Sequence, residues 1–206
     1  MQRIFREEAA GYQVHTGFFN SIISMTLPAL LKHGTEEQKK THIPSLISGE
    51  VSWCQLFSEP GAGSDLAGLA TRAELDGEEF VIHGQKVWNS AAIYADMGIL
   101  LVRTNPDAHK HEGITFLLFD MKQRGVEVRP LIQAHGAGHF AEVFIDGAKC
   151  HVSNVLGEVD KGWGPARAVM SNESAMIGGA SGDNPQQLIQ LAQELGKVDE
   201  PVIRQK

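Results

Sequence analysis

Cysteine is nearly absent. Only Cys54 and Cys150 carry thiols in 206 residues, too few to staple a chain of this size, and free thiols suit a reducing compartment. No apolar run approaches the roughly 18 residues that span a bilayer, which excludes a transmembrane helix. The opening residues Met1 to Glu8 lack the apolar core of a signal peptide and are too acidic for a transit peptide. Together these point to a cytoplasmic location. Positive charge is in deficit, with 18 Lys and Arg against 25 Asp and Glu and a net charge of −7, which argues against a nucleic-acid backbone as partner. What remains is an ordinary globular balance of 42% hydrophobic and 21% charged residues, enough for one or two domains and a sizeable core.

Charge divides the chain into three. Residues 1–52 and 161–206 each carry five basic and five acidic groups, while 53–160 carry eight and fifteen, so the whole imbalance lies in the middle. The first part reads as helical. Apolar residues crowd 18–31, with Pro28 as a possible kink, and Lys32-His33-Gly34 supplies a C-terminal stop. Thr35 then caps a second helix, with Gln38 at capping-box spacing. That helix is expected to expose Glu36, Glu37, Lys39 and Lys40 and to bury Ile43, Leu46 and Ile47.

The middle changes period. Residues 71–75 and 79–83 flank Asp76-Gly77, a tight hairpin in prospect, and short β-rich runs follow at 85–88, 98–103, 113–120, 126–129 and 141–145. No helical pattern separates them, so a parallel sheet with crossover helices is excluded. The third part is helical again over 162–182, then from Asn184-Pro185 through Leu188, Leu191 and Leu195 to Gly196, with another helix opening at Asp199-Glu200-Pro201. The expected fold is α+β: an antiparallel β-sandwich or barrel (53–160) flanked by α-helical segments (1–52 and 161–206). A last helix that ends about one turn after it begins points to a truncated chain.

Two stretches could carry chemistry. Ser58-Glu59-Pro60-Gly61-Ala62-Gly63-Ser64-Asp65 can turn backbone N–H groups inward, with the Ser64 hydroxyl as a further donor, and so suits the phosphates of a nucleotide cofactor. It reads equally as a tight turn capped by Ser64 or Asp65. It is neither a P-loop nor a dinucleotide fingerprint. In Gly84-Gln85-Lys86-Val87-Trp88-Asn89-Ser90 an indole followed by small polar donors could wall a flat aromatic cofactor, or Trp88 could be a core residue at a strand end. Nine histidines raise the question of a metal, but His109/His111 and His135/His139 lie in poor helical sequence that cannot aim paired rings. No metal is expected.

The stretch 55–65 (Gln55-Leu56-Phe57-Ser58 and the loop above), followed by His83-Gly84-Gln85-Lys86-Val87-Trp88, resembles the acyl-CoA dehydrogenase family. The likeness continues, in the family's order and spacing, through Gly113-Ile114-Thr115-Phe116, His139 to Phe144, Gly157-Glu158 and Lys161-Gly162-Trp163, and includes Gly34 to Lys39 upstream. It is nearest to actinobacterial-type members, some of which act on sterol side chains. The resemblance implies the end of an N-terminal helical domain, a complete middle β-domain and the start of a C-terminal helical domain, with FAD between the last two. It implies that Gln55, Leu56, Phe57 and Ser58 line the flavin, that Gly63 and Ser64 lie near the pyrophosphate, and that Ser64 also meets acyl-CoA. Trp88, Asn89 and Ser90 would complete the wall, with Trp88 over the isoalloxazine and Ser90 donating to N5.

The implied reaction is α,β-desaturation of an acyl-CoA thioester, with electrons passing to an electron-transfer flavoprotein or similar acceptor and the chain in a homo- or hetero-oligomer. Three positions depart from the pattern. The family's catalytic glutamate would lie beyond Lys206, so no catalytic residue is expected within the chain. Asn89 stands where a β-branched residue is usual. Glu173-Ser174 replaces Glu-Arg, losing a charge-assisted contact. A fragment inactive on its own is the first expectation. The alternatives are a noncatalytic partner subunit or flavin- and acyl-CoA-binding module, and a flavin monooxygenase or nitroalkane-oxidising relative. Apolar surface is expected along 168–177 and 188–195.

Overall fold

The computed structural model describes residues 17–180 and 185–201. Its opening helix, α1 (Gly17–His33), turns Ile22, Met25, Thr26, Ala29 and Leu30 inward, the spacing of one helical face. The Thr35 hydroxyl accepts from the Gln38 amide and the Gln38 side chain accepts from Thr35 N, both at 3.1 Å, so the capping box starts α2 (Glu36–Ser48) as expected. The same Gln38 side chain donates to the carbonyls of Ser153 (2.7 Å) and Val155 (2.9 Å), tying the helix start to the far end of the sheet. Leu46 is buried, but Ile47 is 58% exposed rather than inward, because α2 packs along a face that its position does not share.

Seven strands follow: β1 (Trp53–Leu56), β2 (Arg72–Asp76), β3 (Glu79–Ser90), β4 (Met97–Arg103), β5 (Ile114–Asp120), β6 (Val126–Leu131) and β7 (Phe140–His151). They form one curled sheet in the order β1-β4-β2-β3-β7-β6, with β5 on β4. The β2–β3 hairpin turns at Gly77, whose φ of 64° is open to glycine without strain. Most pairings are antiparallel, but β1 runs parallel to β4 (Trp53 against Met97 through Leu56 against Leu100), and Arg72 of β2 bridges Arg103 in the same sense. The connection that allows this is the β2–β3 hairpin rather than a helix.

The apolar runs of β4 and β5 are buried on both faces. Ile99, Leu101, Ile114, Phe116 and Leu118 face the helices. Leu100, Val102, Leu117 and Phe119 face a second core shared with Phe80, Ile82, Val143 and Ile145 of β3 and β7. The chain returns to helix in α3 (Trp163–Ala180), which packs on α1 through Ala166 and Val169, and in α4 (Pro185–Glu194). At the entry to α3 a side chain on Gly162 would stand 2.4 Å from Phe116 N, so only glycine lets the helix start this close to β5. Ile189, Leu191 and Leu195 are exposed, as expected, while Val169 is buried. The first sixteen residues, Asn184, the segment after Pro201, and the side chains of Phe18, Phe19, Ser174, Ile177 and Leu188 lie outside the described residues. No helix among the described residues is long and apolar enough to cross a membrane.

Candidate functional site

Helices and sheet meet around a cavity of about 600 Å³, within the range of small-molecule sites. β1 supplies one wall. Its period of two turns Trp53, Gln55 and Phe57 toward the helices, where they line the cavity. Leu56 falls on the opposite face, fully buried with Cys54 in the second core, so its side chain does not line the cavity with the other residues named from the sequence. Gln55, Phe57, Ser58, Gly63, Ser64, Trp88, Asn89 and Ser90 all do.

The loop after β1 is held by a buried ion pair. Glu59 N and Ala62 N bond reciprocally to each other's carbonyls (2.9 and 3.0 Å), closing a turn over Pro60-Gly61. The Glu59 carboxylate accepts from the amides of Ala70 (2.6 Å) and Thr71 (2.9 Å) and from Lys86 Nζ (2.8 Å), and Lys86 also donates to Phe57 O. Lys86 is wholly buried. Burial alone would raise the Glu59 carboxyl, but the Lys86 charge and the hydrogen bonds from Lys86, Thr71 and Ala70 outweigh it and hold the group below its ordinary value. Burial brings Lys86 down to about 8 against the pull of Glu59, which leaves both groups charged at neutral pH. Pinned this way, the loop presents Gly63, Ser64 and Asp65, whose amides make no backbone hydrogen bond among the described residues, a concavity suited to an anion.

The opposite wall is the end of β3. Pairing with β7 shifts register between Lys86 and Asn89, and this bulge puts Trp88 at a φ of 62°, an unusual conformation for a large side chain. The distortion swings the indole outward. It is 62% exposed at the cavity and rests edge-on against Phe140, centroids 6.0 Å apart. The reading of Trp88 as a core residue is thereby excluded. Asn89 is buried and donates to Gln55 O (2.8 Å), joining the two walls, while its Oδ1 has no partner. The side-chain hydroxyls of Ser58, Ser64 and Ser90 make no hydrogen bond to another described residue, so three donors remain free at the cavity.

The rim comes from the β4–β5 loop. Arg103 donates to the carbonyls of Ala67 (2.6 Å) and Glu112 (2.7 Å), and Lys110 pairs with Asp65 (2.8 Å). His111 lies 4.6 Å from Trp163 at the start of α3, and both line the cavity. The deep end is apolar, with Ile22 and Met25 from α1 and Met170 from α3 beside Trp53, and it includes Glu173. Sequence reasoning passed over His111, Trp163 and Glu173 as lining residues. The signal for the last two was the helical spacing of 163, 170 and 173, which puts them on one face.

Comparison with known proteins agrees with this arrangement. Residues 54–148 match the acyl-CoA dehydrogenase middle domain. The acyl-CoA dehydrogenase FadE34 of Mycobacterium tuberculosis is 46% identical over 179 residues, covering 86% of this chain and 25% of that protein. Among solved structures, the Tcur3481-Tcur3483 steroid ACAD G363A variant superposes with a TM-score of 0.76 at 34% identity, covering 90% of this chain and 50% of the other. The ChsE4-ChsE5 complex from Mycobacterium tuberculosis superposes at 0.71 with 35% identity, covering 83% and 44%. The chain thus spans half or less of the length of these relatives. With the middle-domain match, the curled sheet between helices and the cavity they enclose, the chain belongs to the acyl-CoA dehydrogenase family, a family of FAD flavoproteins.

Proposed function

We propose that this chain forms the flavin wall and the acyl chamber of an FAD-dependent acyl-CoA dehydrogenase that desaturates an acyl-CoA thioester between its α and β carbons. The observation that carries the reading is the Trp88 indole, exposed at the cavity by a strained bulge beside the uncommitted Ser58, Ser64 and Ser90 hydroxyls. Strain of this kind marks functional positions. A flat aromatic ring system finds a π-face in Trp88 and hydrogen-bond donors at its edge, and a pyrophosphate finds the Gly63 and Ser64 amides. The buried acceptor Asn89 Oδ1 suits a donor in the same place. Bound FAD would supply hydride acceptance.

The chain's own residues do the rest. Trp88, with Gln55 and Phe57 across the cavity, positions the ring. Ser90 and Ser58 donate to its polar edge and favour the electron-rich reduced form. Ser64 at the rim orients the thioester carrier, and Ile22, Met25, Trp53 and Met170 enclose an apolar acyl group and exclude water. That broad apolar end and the steroid ACAD among the similar structures support a bulky or sterol-derived acyl chain. The exposed Ile189, Leu191 and Leu195 and the two-protein ChsE4-ChsE5 relative support function within an oligomer. An electron-transfer flavoprotein as acceptor and a cytoplasmic setting complete the reading.

The test is the visible absorption of the chain after incubation with FAD and desalting. Wild type should retain the flavin band, and Trp88→Ala should weaken FAD at least about tenfold, the loss of one stacking contact of about 1.4 kcal/mol. Equal retention by the variant would refute the assignment of this wall.

A further inference from the structure

The cavity has two carboxylates on its lining, Asp65 and Glu173, and they differ in what already holds them. Asp65 is on the exposed rim, paired with Lys110 at 2.8 Å. Glu59, nearby in the loop, does not line the cavity and is consumed by Lys86 and two backbone amides. Glu173 is half-buried, and among the described residues no cation or hydrogen-bond donor engages it. It lies ten residues, or roughly 15 Å of helix, beyond Trp163, which marks the rim. Its companions on the helical side of the cavity are Met170, one turn earlier on α3, and Ile22 and Met25 of α1, the helix on which α3 packs. A carboxylate in such a place can take a proton without first breaking an ion pair, and apolar walls keep water from competing.

We propose that Glu173 is the general base of this chain, removing the α-proton of the acyl thioester bound in the cavity. The inference rests on the dehydrogenase reading above. In the step, the Cα–H bond breaks as a Glu173 Oε–H bond forms. The electron pair so released becomes the Cα–Cβ double bond, and the β-hydrogen leaves with its pair to oxidised flavin, so the acyl chain loses two electrons and the flavin gains them. Base and hydride acceptor would then stand on facing walls, Glu173 from the helices and Trp88 with Ser90 from the sheet.

Proton removal can be read without turnover. The FAD-loaded chain is mixed in deuterated buffer with 3-thiabutyryl-CoA, whose β position is sulfur and has no hydride to give, and exchange of its α-hydrogens is followed by mass spectrometry. Wild type should catalyse exchange. Glu173→Gln should slow it at least about 100-fold while retaining the flavin band and the same thioester affinity by tryptophan fluorescence, and Glu173→Asp should keep a measurable part. Exchange by Glu173→Gln within about threefold of wild type would overturn the proposal, as would a wild type that binds both ligands but does not exchange. Loss of thioester affinity in Glu173→Gln would overturn it too, in favour of a binding role. A wild type that binds neither FAD nor thioester would instead overturn the dehydrogenase reading on which the proposal rests.

Discussion

Replacing Glu59 with Gln should unfasten the loop that carries Ser58, Gly63 and Ser64. The variant keeps the shape and one acceptor oxygen for the Ala70 and Thr71 amides, but it leaves Lys86, wholly buried and donating at 2.8 Å, without its counter-charge. Breaking a buried pair by removing one partner costs about 3–5 kcal/mol. With a urea dependence of about 2 kcal/mol per molar, the unfolding midpoint should fall by roughly 1.5–2.5 M. Lys86→Met should also destabilise, since the carboxylate would keep only its backbone donors. The double variant E59Q/K86M should recover at least half of the summed loss, because a matched apolar replacement of a buried pair is often neutral. The pH dependence has a definite sign. The folded carboxyl is held below its ordinary value of 4.5, so its stabilisation is complete above that value and is lost as pH falls through the lower folded value. The stability gap between wild type and E59Q should therefore shrink in acid. Single variants that each cost under about 1 kcal/mol, or a double variant that is simply additive, would show that the pair does not hold the loop.

Two further outcomes follow from packing. Gly162→Ala should cost about 1–3 kcal/mol in urea unfolding, since the added carbon meets backbone atoms of Phe116 and Thr115 at 2.4 and 2.7 Å, which cannot rotate away; an unchanged midpoint would mean that α3 starts further from β5 than described. Burial pushes the Cys54 and Cys150 thiols up to about 12, so neither should react with a neutral-pH disulfide reagent until urea unfolds the chain, and prompt labelling of either would contradict its burial.

The sequence was most legible where one physical signal dominated. The apolar runs of β4 and β5, the Asp76-Gly77 turn and the Thr35–Gln38 capping box each state their structure locally, and each is found. β1 was not legible as a strand: four residues, Trp53 to Leu56, with no alternation of polarity, acquire their conformation from β4 about forty residues later. The facing of Leu56 followed from that missed strand, since a period of two decides which residues of 55–58 meet the cavity. The site motifs were readable as a family resemblance, but the reason for their residues was not. Lys86 and Glu59 both stand in quoted motifs, and only the fold shows them bonded to each other. Glu173 was noted for its neighbour Ser174 rather than for itself, because a glutamate on a helix looks like any solvated charge until the helix is docked. The expectation that no base lies within the chain gives way, in our proposal, to that residue.

The parallel seating of β1 on β4 also bears on how the cavity comes into being. Closing a loop of some forty residues has an entropic cost that local contacts do not repay, and here the span is occupied by a hairpin able to form by itself. Half of the cavity wall, Trp53 through Phe57, therefore joins a sheet whose other strands can already be paired, and it belongs to the slow, non-local end of the folding process. A molecule that recognises only the finished wall adds its binding free energy to that last closure and to nothing before it. For this chain, filling the cavity and completing the fold are two descriptions of one event.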